Sequence, residues 1–233
     1  MKQLLKHSFR ASLVLAACAA VVIGISPTAF ADTITYTATG TGLDVSATVT
    51  TGTNSVTITL TNLEANPTSA AQEISGVYIT LGSTLTTDSI SSVTGALLNS
   101  SFASTTGNAG AHWGTSVVSG DKICLESAGN CAPGGQPYDL IIGPGPYTNA
   151  NPSITNHSPV IDQTATFVLT VAGVNSDTDI NGLTFQFGTS EGEVTLTGTP
   201  STPPSVPEPS SLILLGTGIV GVAGMVRRRF VKA

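Results

Sequence analysis

Apolar and polar residues alternate with a period of two through much of the chain after Asp32. In the first such run Ile34, Tyr36 and Ala38 alternate with threonines. Alternation with β-branched residues on both sides is typical of strands that bury one face. The same pattern recurs along the sequence. The predicted strands contain residues 34–38, 45–49, 56–60, 77–81, 140–142, 165–171, 183–187 and 194–196.

Turn-forming residues separate these runs. Gly52, Thr53 and Asn54 lie between the second and third runs, which predicts a hairpin. Residues 100–111 and 143–159 are rich in Ser, Gly, Asn and Pro, so we expect loops there. No segment has the periodicity of an amphipathic helix. The pattern predicts an all-β fold with a single β-sandwich domain, jelly-roll-like or immunoglobulin-like.

The N-terminal segment has the three parts of a secretion signal. Residues 1–10 are basic, residues 11–25 are apolar, and Ala29 and Ala31 provide the small side chains that signal peptidase requires. We therefore predict cleavage after Ala31. Two alternatives are a retained membrane anchor and a lipoprotein, because the residues ending at Cys18 resemble a lipobox.

The C-terminal segment also has three parts. Pro207, Glu208 and Pro209 follow a proline-rich stretch, and residues 212–226 form an uncharged run. Extended by two serines, this run predicts a transmembrane helix of about 26 Å, slightly shorter than a hydrocarbon core of roughly 30 Å. A basic cluster that stays on the cytoplasmic side ends the run. The cluster consists of Arg227, Arg228 and Arg229.

This tripartite tail resembles the PEP-CTERM sorting signal, with Pro207, Glu208 and Pro209 at its motif. The resemblance implies processing by an exosortase, a membrane protease that cleaves near the motif. It also implies a bacterium that makes exopolysaccharide and forms biofilms or flocs. The alternative is a permanent single-span anchor. Four glycines within the apolar run lower its helix propensity, which favours a transient inner-membrane anchor.

The predicted organisation therefore has four segments. They are a signal peptide at residues 1–31, a β-sandwich domain at 32–198, a Pro-rich linker at 199–206 and a PEP-CTERM sorting and anchor segment at 207–233.

Charge is strongly segregated along the chain. All 14 acidic residues lie between Asp32 and Glu208, where Lys122 is the single basic residue, so this stretch carries a formal charge of 1 − 14 = −13. Nucleic acid binding requires several Lys or Arg side chains to displace counterions from phosphates. The charge therefore excludes nucleic acid as a partner and suits a soluble surface outside the cell.

Two cysteines remain after the predicted signal cleavage, Cys124 and Cys131. Export to an oxidising compartment predicts a disulfide between them. Closing so short a loop stabilises the fold by roughly 2.5 kcal/mol on the chain-entropy model. Zinc is the alternative, but no nearby Cys or His pair completes four ligands.

One loop resembles the opening of a calcium site. Asp177, Asp179 and Asn181 alternate ahead of a glycine, which is the spacing that places oxygens around one hard cation. The closing carboxylate is absent, because Gly188 occupies its place. The alternatives are therefore a calcium loop and a polar turn between strands. No other cofactor is predicted.

Catalytic motifs are absent from the sequence. His112 and His157 lie in loops, and no nucleophile elbow, zinc-protease helix or phosphate loop is present. Trp113, Tyr138 and Tyr147 suggest a hypothesis of stacking on sugar rings, although a single Trp in a sandwich is more often part of the core.

Together these features predict a non-enzymatic, exported protein of the cell surface or extracellular matrix, with a structural or adhesive role near exopolysaccharide or biofilm. Expected partners are signal peptidase, an exosortase-like enzyme, exopolysaccharide, and the membrane before processing. The alternative is a secreted hydrolase acting on polysaccharide or peptide, which requires a histidine or carboxylate pair converging in a cleft.

Overall fold

A computed structural model of the protein describes residues 33–132 and 137–201. The predicted signal peptide and the predicted C-terminal helix lie outside these residues. So do the predicted cleavage residues Ala29 and Ala31, the motif at 207–209 and the basic cluster at 227–229. Within the described ranges, no helix has the length and apolarity needed to cross a membrane.

The described residues form thirteen strands and two short helical turns. The strands are β1 (Thr33–Gly40), β2 (Leu43–Gly52), β3 (Ser55–Asn62), β4 (Ile74–Leu81), β5 (Asp88–Leu98), β6 (Ser104–Thr105), β7 (Gly114–Ser119), β8 (Lys122–Glu126), β9 (Ile141–Ile142), β10 (Val160–Val171), β11 (Ile180–Phe187), β12 (Val194–Thr197) and β13 (Thr199–Ser201). A 3-10 turn covers Ala70–Gln72, and helix α1 covers Pro152–Thr155.

The all-β prediction is confirmed. The strands hydrogen-bond in one sheet, with the main path β12-β11-β4-β9-β10-β3-β2-β1-β13. Strands β5 and β6 branch from β10, and strands β7 and β8 branch from β4. The sandwich arrangement, and its jelly-roll-like or immunoglobulin-like type, stay predictions.

The predicted hairpin is present between β2 and β3. Gly52 pairs with Ser55, so Thr53 and Asn54 form a two-residue loop. Asn54 has a φ of 51°, a left-handed conformation that asparagine tolerates and that short hairpin turns require. The turn residues identified in the sequence therefore fix the register of this pair.

The core is built from the alternating apolar positions. Along β2 and β3 every second residue is buried, and Val49 and Ile58, paired across the two strands, have no exposed surface. Side chains from β4, β8 and β11, including Phe185 and Phe187, belong to the same core cluster. Fully burying an aliphatic or Phe side chain stabilises a fold by about 1.5–3 kcal/mol, so this cluster is the main source of stability.

The opposite face of β1, β2, β3 and β10 is lined by threonine hydroxyls. These hydroxyls pair across neighbouring strands at hydrogen-bond distance. The pairs are Thr33–Thr50 at 3.0 Å, Thr35–Thr48 at 3.1 Å, Thr59–Thr166 at 3.0 Å and Thr61–Thr164 at 3.2 Å. Cross-strand hydroxyl pairs of this kind contribute modestly to sheet stability.

The sequence pattern missed several strands. Strand β5 is the longest of these, and its central residues are exposed or half-buried, so it has no strict apolar alternation. Strand β6 and helix α1 lie inside segments predicted as loops. Strand β13 lies in the predicted Pro-rich linker, where Thr199 and Ser201 pair with β1, so strand pairing extends into that segment.

The carboxyl group of Glu73 is buried without a hydrogen-bond partner in the described residues. Its side chain has no exposed surface, and neither carboxyl oxygen has a hydrogen-bond partner within the described residues. Its backbone is satisfied, since its carbonyl accepts from the Gly188 N–H at 3.2 Å. Burial away from water raises the pKa of Glu73 well above its ordinary value, because ionisation there is not solvated.

We expect replacement of Glu73 by Gln to remove a pH-dependent loss of stability. With the folded-state pKa raised, the unfolded chain releases its proton first, so stability falls as pH rises above about 4.3, the ordinary glutamate value. The gap in unfolding free energy between Glu73→Gln and wild type should widen by up to about 1.4 kcal/mol per pH unit. Urea unfolding at several pH values measures it, and parallel pH profiles for the two proteins would contradict the prediction.

Candidate functional site

Residues from three parts of the chain line an open pocket of about 530 Å³ at one end of β5. This volume lies within the range of roughly 300–1,000 Å³ that is usual for small-molecule sites. Seven of the lining residues carry uncharged amides or hydroxyls, namely Asn99, Ser100, Thr105, Thr106, Asn108, Thr155 and Ser158. His112 and Asp139 also line this pocket.

His112 and Asp139 form a hydrogen-bonded pair in the pocket. Nδ1 of His112 lies 2.8 Å from Oδ2 of Asp139, and this oxygen also accepts from the His112 backbone N–H at 3.3 Å. Because a carboxylate can only accept, Nδ1 is the nitrogen that carries the proton. In the neutral ring, Nε2 is then left as a hydrogen-bond acceptor.

One residue of this pair is buried and the other is exposed. The side chain of Asp139 is 1% exposed, whereas that of His112 is 38% exposed. Burial raises the pKa of Asp139, and the hydrogen bonds and charge of His112 act in the opposite direction. The arrangement holds the exposed imidazole in one orientation against a carboxylate that water does not reach.

The backbone around Asp139 is fixed by its neighbours. Asp139 has a φ of 56°, and its N–H donates to the carbonyl of Pro159 at 3.1 Å. The indole Nε1–H of Trp113 donates to the Asp139 carbonyl at 2.8 Å. A non-glycine residue with left-handed backbone costs free energy, and such residues cluster at functional sites.

Trp113 is part of the core rather than an exposed sugar platform. It is 3% exposed, and its ring packs against Phe167 with the centroids 4.6 Å apart. The hypothesis that Trp113 stacks on sugar rings is therefore wrong. The indole packs into the core and its one N–H donates to the Asp139 carbonyl, so Trp113 holds the backbone of a residue that lines the pocket.

The two predicted tyrosines have different surroundings. The Tyr138 ring lies near both histidines, with its centroid 5.0 Å from that of His112 and 6.3 Å from that of His157. The Tyr147 ring stacks on Phe102 at 4.4 Å. Burial, with Asp162 nearby, raises the pKa of Tyr147 to about 12. Tyr147 therefore has a protein partner on its ring face.

The two histidines of the body do not bond to each other. Nδ1 of His157 lies 2.5 Å from the backbone carbonyl of Ser153, whereas His112 bonds to Asp139. The role of Asp139 was missed by the sequence analysis, because 27 positions separate it from His112 and no local motif joins them. Only the folded chain brings this carboxylate to the imidazole.

The disulfide prediction is confirmed. Cys124, in β8, is bonded to Cys131, seven positions later. Next to it, the buried Glu126 bonds to the side-chain amide of Gln186 and accepts from the Cys131 N–H at 3.4 Å. Burial raises the pKa of Glu126, and the hydrogen bonds from Gln186 and Cys131 lower it.

The side chains of Cys124, Glu126 and Cys131 also form a group that could hold a metal ion, with their ligand atoms within 4.8 Å of one another. Two of these three ligand atoms, the sulfurs of Cys124 and Cys131, are bonded to each other in the disulfide. Cysteine binds zinc as the thiolate, so the oxidised pair offers no thiolate ligand.

Comparison with known proteins identifies a sorting motif near the C-terminal end of the sequence. The family model described as the PEP-CTERM protein-sorting motif matches residues 205–229. The chain carries a PEP-CTERM sorting signal. The match includes both sets of residues predicted for this tail, the Pro207–Pro209 motif and the basic cluster 227–229. No curated protein and no solved structure matches the chain.

The PEP-CTERM signal indicates an exported protein that an exosortase sorts. Its destination is the cell envelope or the extracellular space. The residues predicted for signal cleavage, Ala29 and Ala31, lie outside both the described residues and the PEP-CTERM match. They stay predictions.

The predicted calcium loop lies before and at the start of β11. Asp177, Asp179 and Asn181 are all exposed, and the backbone carbonyl of Asp179 accepts from the Gly82 N–H at 2.8 Å. Asn175 closes the turn by accepting from the Asp177 N–H at 2.8 Å. These contacts suit a polar turn, and calcium binding stays a prediction.

The two alternatives for this loop predict different responses to calcium. Binding to the folded state alone stabilises by about 2.7 kcal/mol at a concentration of 100 times Kd, so a calcium loop would raise the melting temperature. This rise should disappear in the Asp177→Asn, Asp179→Asn variant. A melting temperature that is indifferent to millimolar calcium would remove the calcium hypothesis and leave the polar turn.

Proposed function

We propose that the protein is a non-enzymatic component of the bacterial surface or extracellular matrix, associated with exopolysaccharide or biofilm. Its β-domain has a structural or adhesive role after the tail is processed. Before processing, the predicted apolar helix at residues 212–226 anchors the chain transiently in the inner membrane, and signal peptidase removes the N-terminal segment.

The observation that carries this proposal is the PEP-CTERM motif at residues 205–229. An exosortase substrate passes the inner membrane, so the β-domain works where polysaccharide and cations surround it. The domain suits that environment, because its sequence carries a large negative charge and one face of its sheet presents threonine hydroxyls. A strong like charge opposes self-association of such domains.

We expect removal of residues 206–233 to change the destination of the protein without unfolding it. The truncated chain should be released into the medium, whereas the full chain should be retained at the cell envelope. Fractionation of the native host with an antibody to the β-domain measures this distribution. A full-length chain in which Arg227, Arg228 and Arg229 are replaced by Ala is the matched control for the basic stop.

Two outcomes would contradict the sorting proposal. One is an unchanged distribution of the truncated chain between envelope and medium. The other is a mature protein, isolated from its own host, whose mass still includes residues 227–229. Either result would mean that the motif is not processed in this protein.

A second candidate function is hydrolysis of an acyl bond on a polysaccharide or peptide. The pair of His112 and Asp139 in the pocket favours it, because a carboxylate-held imidazole is a general base. Nε2 of His112 would take a proton from water as the hydroxide adds to the acyl carbon, and would return the proton to the departing alcohol or amine. Asp139 would stabilise the imidazolium.

This candidate predicts that the full-length protein cleaves p-nitrophenyl acetate or casein. His112→Gln should then lower the rate by about 10²- to 10⁴-fold, the usual contribution of a general base. His157→Gln is the matched control, since that imidazole bonds to a backbone carbonyl instead of a carboxylate. Rates no higher than those of free imidazole would reject the hydrolase and favour the non-enzymatic proposal.

A further inference from the structure

The polar groups of the pocket are divided between those that the protein already uses and those that remain available. Oδ1 of Asn99 accepts from the Ser101 and Ala103 N–H groups, at 2.9 and 3.2 Å. Oδ1 of Asn108 accepts from the Gly110 N–H at 3.0 Å. A backbone N–H can only donate, so in each amide the oxygen faces the loop and the NH2 group is turned away from it.

These NH2 groups are available as donors. Neither the amide nitrogen of Asn99 nor that of Asn108 donates a hydrogen bond to any residue in the described parts of the chain. Oγ of Ser158 is buried and likewise has no partner there. A buried polar atom without a partner costs free energy, so a ligand that satisfies it gains affinity.

Acceptors are also present. With Nδ1 bonded to Asp139, the neutral ring of His112 offers Nε2 to the pocket, and Thr105 and Thr106 contribute hydroxyls that donate or accept. Donors and acceptors of this kind match hydroxyl groups, each of which donates one hydrogen bond and accepts others.

The charge of the pocket restricts the ligand class. Among the described residues that line the pocket, Asp139 is the one carboxylate, and it is already paired with His112. Within residues 33–132 and 137–201 no Lys or Arg lines the pocket, and Lys122 lies over the Tyr78 ring, 4.9 Å from its centroid. A phosphate or carboxylate ligand would find no permanent cation there. The site therefore suits an uncharged ligand.

Hydrogen bonds hold the groups behind the pocket in place. Asp139 is held by the buried Trp113 indole and by the backbone of Pro159, and it fixes His112 in turn. Pre-organised polar groups bind a ligand with less loss of conformational entropy than mobile ones do.

We propose that this pocket binds a neutral, polyhydroxylated ligand such as a sugar unit, with the amides of Asn99 and Asn108 donating to its oxygens and Nε2 of His112 accepting from a hydroxyl. The inference goes beyond the proposed function, since it depends on the pocket and not on export or processing. It also differs from stacking on aromatic rings, because hydrogen bonds make the contacts.

The test is a titration of the full-length protein, carrying 13C-labelled histidine, followed by NMR of the His112 Cε1–H signal. The probes are glucose and N-acetylglucosamine as neutral sugars, and galacturonic acid and inorganic phosphate as anions. We expect a saturable shift with at least one neutral sugar, with a Kd on the order of 1 mM. Weaker or no saturable shifts are expected with the two anions.

Matched variants locate the contacts. Asn108→Asp and Asn99→Asp keep the oxygen that holds the loop and replace the NH2 donor, so each should weaken sugar binding about tenfold or more. Asn175→Asp is the control, because Asn175 also accepts from a backbone N–H, at 2.8 Å, but does not line the pocket. Thermal melting of each variant checks that the fold is retained.

Three results would overturn the proposal. These are no saturable shift with either neutral sugar, tighter binding of the uronic acid or phosphate, and equal sugar affinity in Asn108→Asp, Asn99→Asp and Asn175→Asp. Because none of these readouts involves the tail, a failure here leaves the sorting proposal intact.

Discussion

Burial of alternate side chains in the main core holds in place the long strands next to the pocket. Val49, Ile58 and Phe167 lie on neighbouring strands and have no exposed surface, and Trp113 packs against Phe167. A shift of register by one residue would turn these side chains to the threonine face and bring the threonines into the core. The cost of burying unpaired hydroxyls therefore fixes the register, and the register fixes where the loops emerge.

The pocket depends on the core through one chain of contacts. Trp113 belongs to the core cluster and bonds to the carbonyl of Asp139, whose carboxylate holds His112. The backbone of Pro159, next to the start of β10, bonds to the Asp139 N–H. A buried Asp with left-handed backbone is unfavourable by itself, and it persists because these contacts over-determine its position. Contacts with the sheet and the core thus fix this side of the pocket.

Two kinds of functional information occupy different parts of the chain. The PEP-CTERM tail is an address, and its parts are contiguous in sequence: a short motif, an apolar run and a basic cluster. The pocket is assembled from loops that lie far apart in sequence, and its polar groups are meaningful only once their partners are known. The sorting signal concerns where the protein goes, whereas the proposed ligand site concerns what it contacts there.

The sequence by itself determined the strand class, the β2–β3 hairpin, the disulfide and the sorting tail, because each depends on neighbours close along the chain. Alternation of period two, a turn around Asn54 and two cysteines seven positions apart are local signals. Strand β5 escaped prediction because its residues are mostly exposed and its pairing with β10 is a long-range choice. Only the tertiary structure placed Trp113 in the core and brought Asp139 to His112, since burial and hydrogen bonding between distant segments are decided when the whole core packs.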